Sequence, residues 1–280
     1  MLTEDIKVFE REYKKFDVSI EKWTAPHSHG ISGLFRLKNE EQFMEAAVLS
    51  HLQWLDQAVL VIQPSEDRTE ELAYGLRAKH RDKIKIAHYP FPVHWLHAVQ
   101  HESTAPEDIS VFGMVHMTNW GISQCDYSWI AKIEGDVIGL ATFENIREAV
   151  DAEPDAIRHY GRVGLNLAGE DARQFSFTNP RNAGWDEGVF NNHPRFHCIK
   201  ADRWETINLH EDRSLLRNMG WSFLHMKRCK KGKTTGIERW TSLTPENLQR
   251  ALIEYNSQHP YPGLDNPAGE PCLFERNYLE

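Results

Sequence analysis

The chain has 280 residues, 40% of them hydrophobic, and its 13 Phe, 9 Trp and 8 Tyr are enough to fill the core of one large α/β domain. A formal net charge of −9 argues against a general nucleic-acid binder, which presents a basic field. No run approaches the roughly 18 apolar residues of a membrane span, and the opening MLTEDIKVFEREYKK has no secretory core. Cys125, Cys198, Cys229 and Cys272 form no CxxC pair, so a cytoplasmic chain with free thiols is expected.

Strand and helix patterns alternate through the first half. Residues 31–37 (ISGLFRL) read as a strand that follows an N-terminal extension, 1–30. Asn39, Glu40 and Glu41 come next, a short polar side chain and early acids of the kind that cap and start a helix. Met44, Val48, Leu52 and Leu55 then recur at helical spacing and give one apolar stripe. Residues 58–62 (AVLVI) form a continuous apolar run, the mark of a strand covered on both faces. A turn at 64–67 leads to a helix over 70–79 bearing Leu72, Ala73 and Leu76, and 83–87 (KIKIA) is a third strand. Strands separated by such helices imply βαβ units and a largely parallel sheet. The His- and Pro-containing stretch 89–107 has no clear assignment, and 115–125 reads as a helix entering the next strand.

That strand carries the strongest chemical signal. In 127–140 (YSWIAKIEGDVIGL) an apolar, β-branched run ends in two carboxylates, Glu134 and Asp136. Charges there must be solvated, paired or bound to a cation, because burying them bare is costly. Spaced i, i+2 on an extended segment they share one face, and Gly135 between them lets a ligand approach the backbone. Hard oxygen ligands at the C-terminal edge of an α/β sheet point to a divalent metal holding a phosphate ester. The plainer alternative is a strand-to-loop junction with solvated acids. Beyond residue 140 the pattern weakens: glycines and prolines suggest loops and short strands, 203–209 reads as a strand or a helix start, 244–257 as helical, and 260–280 as an irregular tail.

Three pieces occur in a telling order: Lys38-Asn39-Glu40-Glu41 after the first strand, 58–69 (AVLVIQPSEDRT), and 118–136 (TNWGISQCDYSWIAKIEGD). Together they resemble family-two glycosyltransferases of the GT-A fold, which move a sugar from a nucleotide donor, and are most similar to bacterial cell-surface polysaccharide and lipopolysaccharide enzymes. The likeness covers about 31–140 and is looser through Arg228. It implies a Rossmann-like, mixed but mainly parallel sheet flanked by helices, with 31–140 as the nucleotide-sugar-binding half, 141–240 as the acceptor-binding half, and 241–280 as a C-terminal helix and tail. Two positions depart from the family pattern. Ile62-Gln63 stand where an acid usually contacts the base, and the metal motif is Glu-Gly-Asp rather than Asp-x-Asp.

The resemblance also implies roles. Asp136 would hold a Mn2+ or Mg2+ ion that bridges the donor phosphates, while Glu134 reaches the ribose or a water. Gln63 would meet the base through its amide, and Asp67 the nucleoside, although acids also suit a helix's first turn. Arg36 contacts the nucleotide or pairs with a surface acid. Lys132 faces phosphate or snorkels to water. In 221–233 (WSFLHMKRCKKGK) His225 would be a third metal ligand, with Lys227 and Arg228 on the departing diphosphate; a basic loop, a helix C-terminus or a lipid-facing patch compete. Inverting transfer needs a carboxylate base. Asp186, beside Trp185 in a glycine-flanked loop, is the candidate, with Glu187, Glu205, Glu211 and Asp212 as rivals.

The expected activity is transfer of a sugar from a nucleoside diphosphate sugar to a saccharide or glycolipid acceptor, with no nucleic-acid partner and at most peripheral contact at the inner membrane face. A GT-A-like binding subunit without catalysis is the second reading. A zinc hydrolase built on His94, His97 and His101, or on His27 and His29, is the third, against which stands the lack of an HExxH motif.

Overall fold

A computed structural model of the chain describes residues 18, 25–93, 111–140, 143–154, 159–168, 173–177, 188–193, 196–200, 205–207, 215–230, 241–242, 244, 246–247 and 250. Strands β1 (Ser28–Leu37), β2 (Gln57–Ile62), β3 (Ile84–His88) and β4 (Tyr127–Glu134) lie in the order β3-β2-β1-β4, and all three pairings are parallel. Helices α1 (Met44–Leu52) and α2 (Thr69–Lys79) make the crossovers from β1 to β2 and from β2 to β3. Helix α3 (Met114–Ile122) leads into β4. The last eight residues of β1 and the last five of β2 are buried, as a doubly covered parallel strand requires.

Beyond β4 the sheet continues with mixed polarity. A two-residue turn leads to β5 (Val137–Gly139), and helix α4 (Phe143–Ala152) follows. Strand β8 (Gly188–Asn191) runs antiparallel to β4 and to the start of β6 (His159–Ala168). The end of β6 pairs with β7 (Gln174–Phe177), and β7 pairs with β12 (Thr241–Ser242). Along β6 also runs the long strand β11 (Leu216–Arg228), parallel to it, and β5 adds to β11 antiparallel. A separate ribbon joins β9 (Cys198–Lys200) and β10 (Glu205–Ile207). The mixed α/β sheet flanked by helices is the expected class, and the two chain halves build one sheet.

Alternation along the strands sorts side chains between two cores. Phe35, Leu37, Trp129 and Ile133 face α1, α2 and α4 through Met44, Val48, Leu76, Ile146 and Val150. Leu34, Val61 and Ile130 face α3 and the ribbon through Val115, Met117, Trp120, Phe196 and Cys198. Every residue of α3 from Val115 to Ile122 is buried. The Asn119 side chain pins β9 to this helix, donating to the Cys198 carbonyl at 2.9 Å and accepting from the Cys198 N–H at 2.7 Å.

Two local expectations are corrected. Asn39, Glu40 and Glu41 do not cap α1, which starts at Met44 without a side-chain cap. Asn39 instead adopts φ +54°, a conformation asparagine tolerates, and its Oδ1 accepts from the Glu66 N–H at 2.8 Å. That bond ties the turn after β1 to the turn after β2. Residues 216–228 are a strand, neither a basic loop nor a helix end. The reason is the apolar run around His225: Phe223, Leu224, His225 and Met226 are all buried, so both faces of the strand are covered. Its fit against β6 depends on Gly164, where a Cβ would lie 2.1 Å from the Phe223 ring.

Candidate functional site

The chain leaves β1 toward β2 on one side, and β4 lies on β1's other side. Such a reversal of strand order marks the place, at the C-terminal ends of β1 and β4, where ligands of α/β sheets bind. Arg36 and Glu134 sit opposite each other at those ends. Gly135 and Asp136 form the turn that follows, and β5 then pairs with β11 so that Val137 meets His225. The Met226 N–H donates to the Asp136 carbonyl at 2.9 Å and fixes the turn against β11.

This register carries His225 across to both carboxylates. Its Nε2 lies 3.3 Å from Glu134 Oε2 and 3.4 Å from Asp136 Oδ1, and no hydrogen bond is aligned to it. One ligand atom each from Glu134, Asp136 and His225 falls within 4.8 Å of the others, the only such group of three among the described residues. Two carboxylates converging on a buried imidazole nitrogen that has no aligned hydrogen bond fit a divalent ion of the manganese or magnesium type.

Around this group runs an alternating line of charges. Lys132 Nζ is 3.6 Å from Glu205 Oε1, Glu205 pairs closely with Arg36 Nη1, and Arg36 Nη2 lies 3.1 Å from Glu134 Oε1. After Glu134, His225 and Asp136 comes Lys230, whose Nζ is 2.8 Å from Asp136 Oδ2 and 2.7 Å from Glu40 Oε1. Arg36 also donates to Thr118 Oγ1 at 3.2 Å, which anchors it to α3.

The charges set one another's protonation. Burial opposes the imidazolium of His225, but Asp136 and Glu134 outweigh it and push the group up to about 10. Burial raises the Asp136 carboxyl, and His225 with Lys230 more than reverses that, holding it below its ordinary range. Glu40 is pushed up to about 7 by burial and by Asp136, against the pull of Lys230. For Glu205 burial is again overcome, here by Arg36 and Lys132, and the carboxyl sits low.

Other expected residues land differently. Lys132 neither faces open solvent nor snorkels: it is fully buried, because the β9–β10 ribbon places Glu205 beside it. Arg36 pairs with two acids, one of them the buried Glu205, rather than with a surface acid. Glu205, a rival for the base, is buried and held anionic by two cations, a poor proton acceptor for an outside hydroxyl. Gln63 is buried at the end of β2; its N–H donates to the Leu37 carbonyl at 3.0 Å, and its carbonyl accepts from Ser65 Oγ at 3.0 Å.

Asp67 is engaged with the loops themselves. Its carboxylate accepts the Glu41 N–H and the Thr69 N–H, each at 3.0 Å. Slight burial raises the group, but these bonds and the Thr69 hydroxyl hold it below its ordinary range. Gly135 admits the side chain of Glu40 instead of a ligand, since a Cβ there would lie 2.6 Å from Glu40 Cγ. Lys227 and Arg228 are on β11, with their side chains outside the description; Asp186, Glu187, Glu211 and Asp212 lie outside the described residues. So do His94, His97 and His101, while His29 pairs with Asp151 at 2.9 Å.

Two members of the site carried no chemical expectation, Glu40 and Lys230. Glu40 stood in the turn Lys38-Asn39-Glu40-Glu41, read as a helix start and as one of the three pieces of the resemblance, and Lys230 in a basic run after the apolar segment. A polar residue at the end of β1 beside a second-strand loop was the available signal for Glu40. Nothing local singled out Lys230.

No protein-family model and no curated protein matches the chain. Among solved structures it is similar to Staphylococcus aureus TarS in complex with UDP-GlcNAc, at 9% identity over 82% of this chain and 66% of that one, TM-score 0.48. It is also similar to Mycobacterium tuberculosis glucosyl-3-phosphoglycerate synthase with Mn2+, UDP and phosphoglyceric acid, at 14% identity over 75% of this chain and 74% of that one, TM-score 0.44. The chain spans between 39% and 66% of the TarS chains it matches.

Proposed function

We propose that the chain is a metal-dependent glycosyltransferase of GT-A type that moves a sugar from a nucleoside diphosphate sugar to a saccharide or glycolipid acceptor. The observation that carries this reading is the convergence of Glu134, Asp136 and His225 within 4.8 Å, beside the β1–β4 switch point. The order of the three sequence pieces supports it. Glu134, Asp136 and His225 would hold Mn2+ or Mg2+, which when bound supplies Lewis-acid neutralisation of the leaving diphosphate. Arg36, itself held by Glu205, pairs with Glu134 at 3.1 Å and orients that carboxylate.

The donor would lie over the ends of β1, β2 and β4, near Gln63 and Asp67, with Lys227 and Arg228 as further cations toward the diphosphate. The acceptor belongs to the second half, with Asp186 as the base for an inverting displacement. Bacterial surface polysaccharide is the proposed product class. No helix among the described residues is long and apolar enough to cross a membrane, so a lipid-linked acceptor would be met peripherally. The binding-subunit reading keeps one specific point in its favour: Ile62-Gln63 replaces the acid expected at the base.

Thermal unfolding with a panel of nucleoside diphosphates, each with and without Mn2+, tests the reading on wild type and Asp136→Ala. Ligand at about one hundred times its Kd adds roughly 2.7 kcal/mol. A Mn2+-dependent shift with one nucleotide, lost in Asp136→Ala, is expected, and donor turnover then separates an enzyme from a binding subunit. No shift with any nucleotide would overturn the reading.

A further inference from the structure

Lys230 follows β11 and reaches back over the turn after β4. Asp136 divides its two oxygens between neighbours: Oδ1 faces His225 Nε2 at 3.4 Å, and Oδ2 holds the Lys230 ammonium at 2.8 Å. The same ammonium donates to Glu40 Oε1 at 2.7 Å. A divalent ion drawing on Asp136 therefore meets a cation already resident on that carboxylate. Like charges at such range repel strongly where the surroundings are partly desolvated.

The two members of the Lys230–Glu40 pair differ in freedom. Glu40 is walled in by Gly135, where even a Cβ would lie 2.6 Å from Glu40 Cγ, and its Oε2 is buried without a hydrogen bond. Lys230 stands at a bend past the strand end with 20% of its side chain exposed. The lysine is thus the member that can leave, while Glu40 stays in place.

We propose that Lys230 competes with the divalent ion for Asp136 and so sets the metal affinity of the site, its ammonium moving off the carboxylate when the ion enters. This rests on the metal site of the proposed function. Competition makes a prediction opposite to that of a merely supporting residue, because removing the lysine tightens the metal instead of loosening it.

The test is direct titration of Mn2+ alone, followed by electron paramagnetic resonance, on wild type, Lys230→Met, Lys230→Arg and Asp136→Ala, without nucleotide. Lys230→Met is expected to bind Mn2+ on the order of tenfold more tightly, the scale of one lost charge-assisted contact. Lys230→Arg keeps the charge and stays near the wild-type affinity. Lys230→Gln serves equally where the Met variant does not fold. Tight binding by Lys230→Met beside none in wild type supports the proposal in its strongest form. Unchanged or weaker binding in the neutral variants overturns it; if wild type then binds Mn2+ and Asp136→Ala does not, the metal site itself stands. Absence of binding in all four overturns both.

Discussion

Replacing Glu205 by Gln separates a structural acid from a catalytic one. The carboxylate is 3% exposed and anchors two cations, Arg36 and the fully buried Lys132 at 3.6 Å. The change takes the Glu205 charge from Lys132 and from Arg36, which keeps Glu134 at 3.1 Å. Removing one member of a buried ion pair costs about 3–5 kcal/mol. Unfolding entropy of about 2.1 cal/mol/K per residue gives a chain of this length roughly 0.6 kcal/mol per degree, so Tm should fall by about 5–8 °C. Circular dichroism melts and urea titrations measure it. Glu205→Leu combined with Lys132→Met removes both charges and should recover much of the loss, because neither ion is then left behind. A Glu205→Gln variant within about 1 kcal/mol of wild type would refute the reasoning and return Glu205 to the candidates for the base.

Metal binding should depend on pH through His225, which must be neutral to ligate and whose imidazolium is pushed up to about 10. Between pH 7 and 9 the Mn2+ affinity should rise about tenfold per unit, one proton leaving for each ion bound, and His225→Gln should flatten the slope. In the metal-free protein the sign is opposite: the raised group contributes stability that is present below its ordinary value near 6.5 and is lost as pH rises through about 10, visible in melts taken across that range. Gly164→Ala places a Cβ 2.1 Å from the Phe223 ring and should destabilise by about 1–3 kcal/mol in urea unfolding, with weaker Mn2+ binding because His225 follows on the same strand. Asp67→Ala removes acceptors for two backbone N–H groups and should cost about 1–3 kcal/mol in the same assay, whether or not nucleotide is present.

Local pattern is enough to read the parallel half of the sheet, strand by strand. Apolar runs such as 58–62 leave no choice but doubly covered strands, and the helix stripe from Met44 to Leu52 must lie against them. The paired acids after such a run called for partners, since local burial makes bare charge costly. Only tertiary structure decided who answers those charges. His225, Lys230 and Glu205 come from segments remote in the chain, and their arrival depends on the pairing of β5 with β11 and on the ribbon held by Asn119. Such register is set by packing across the whole sheet, so no window of residues encodes it. The same physics turned Lys132 from a residue expected at water or phosphate into a buried partner of Glu205: a lysine is indifferent between those fates until the surface above it is either left open or covered.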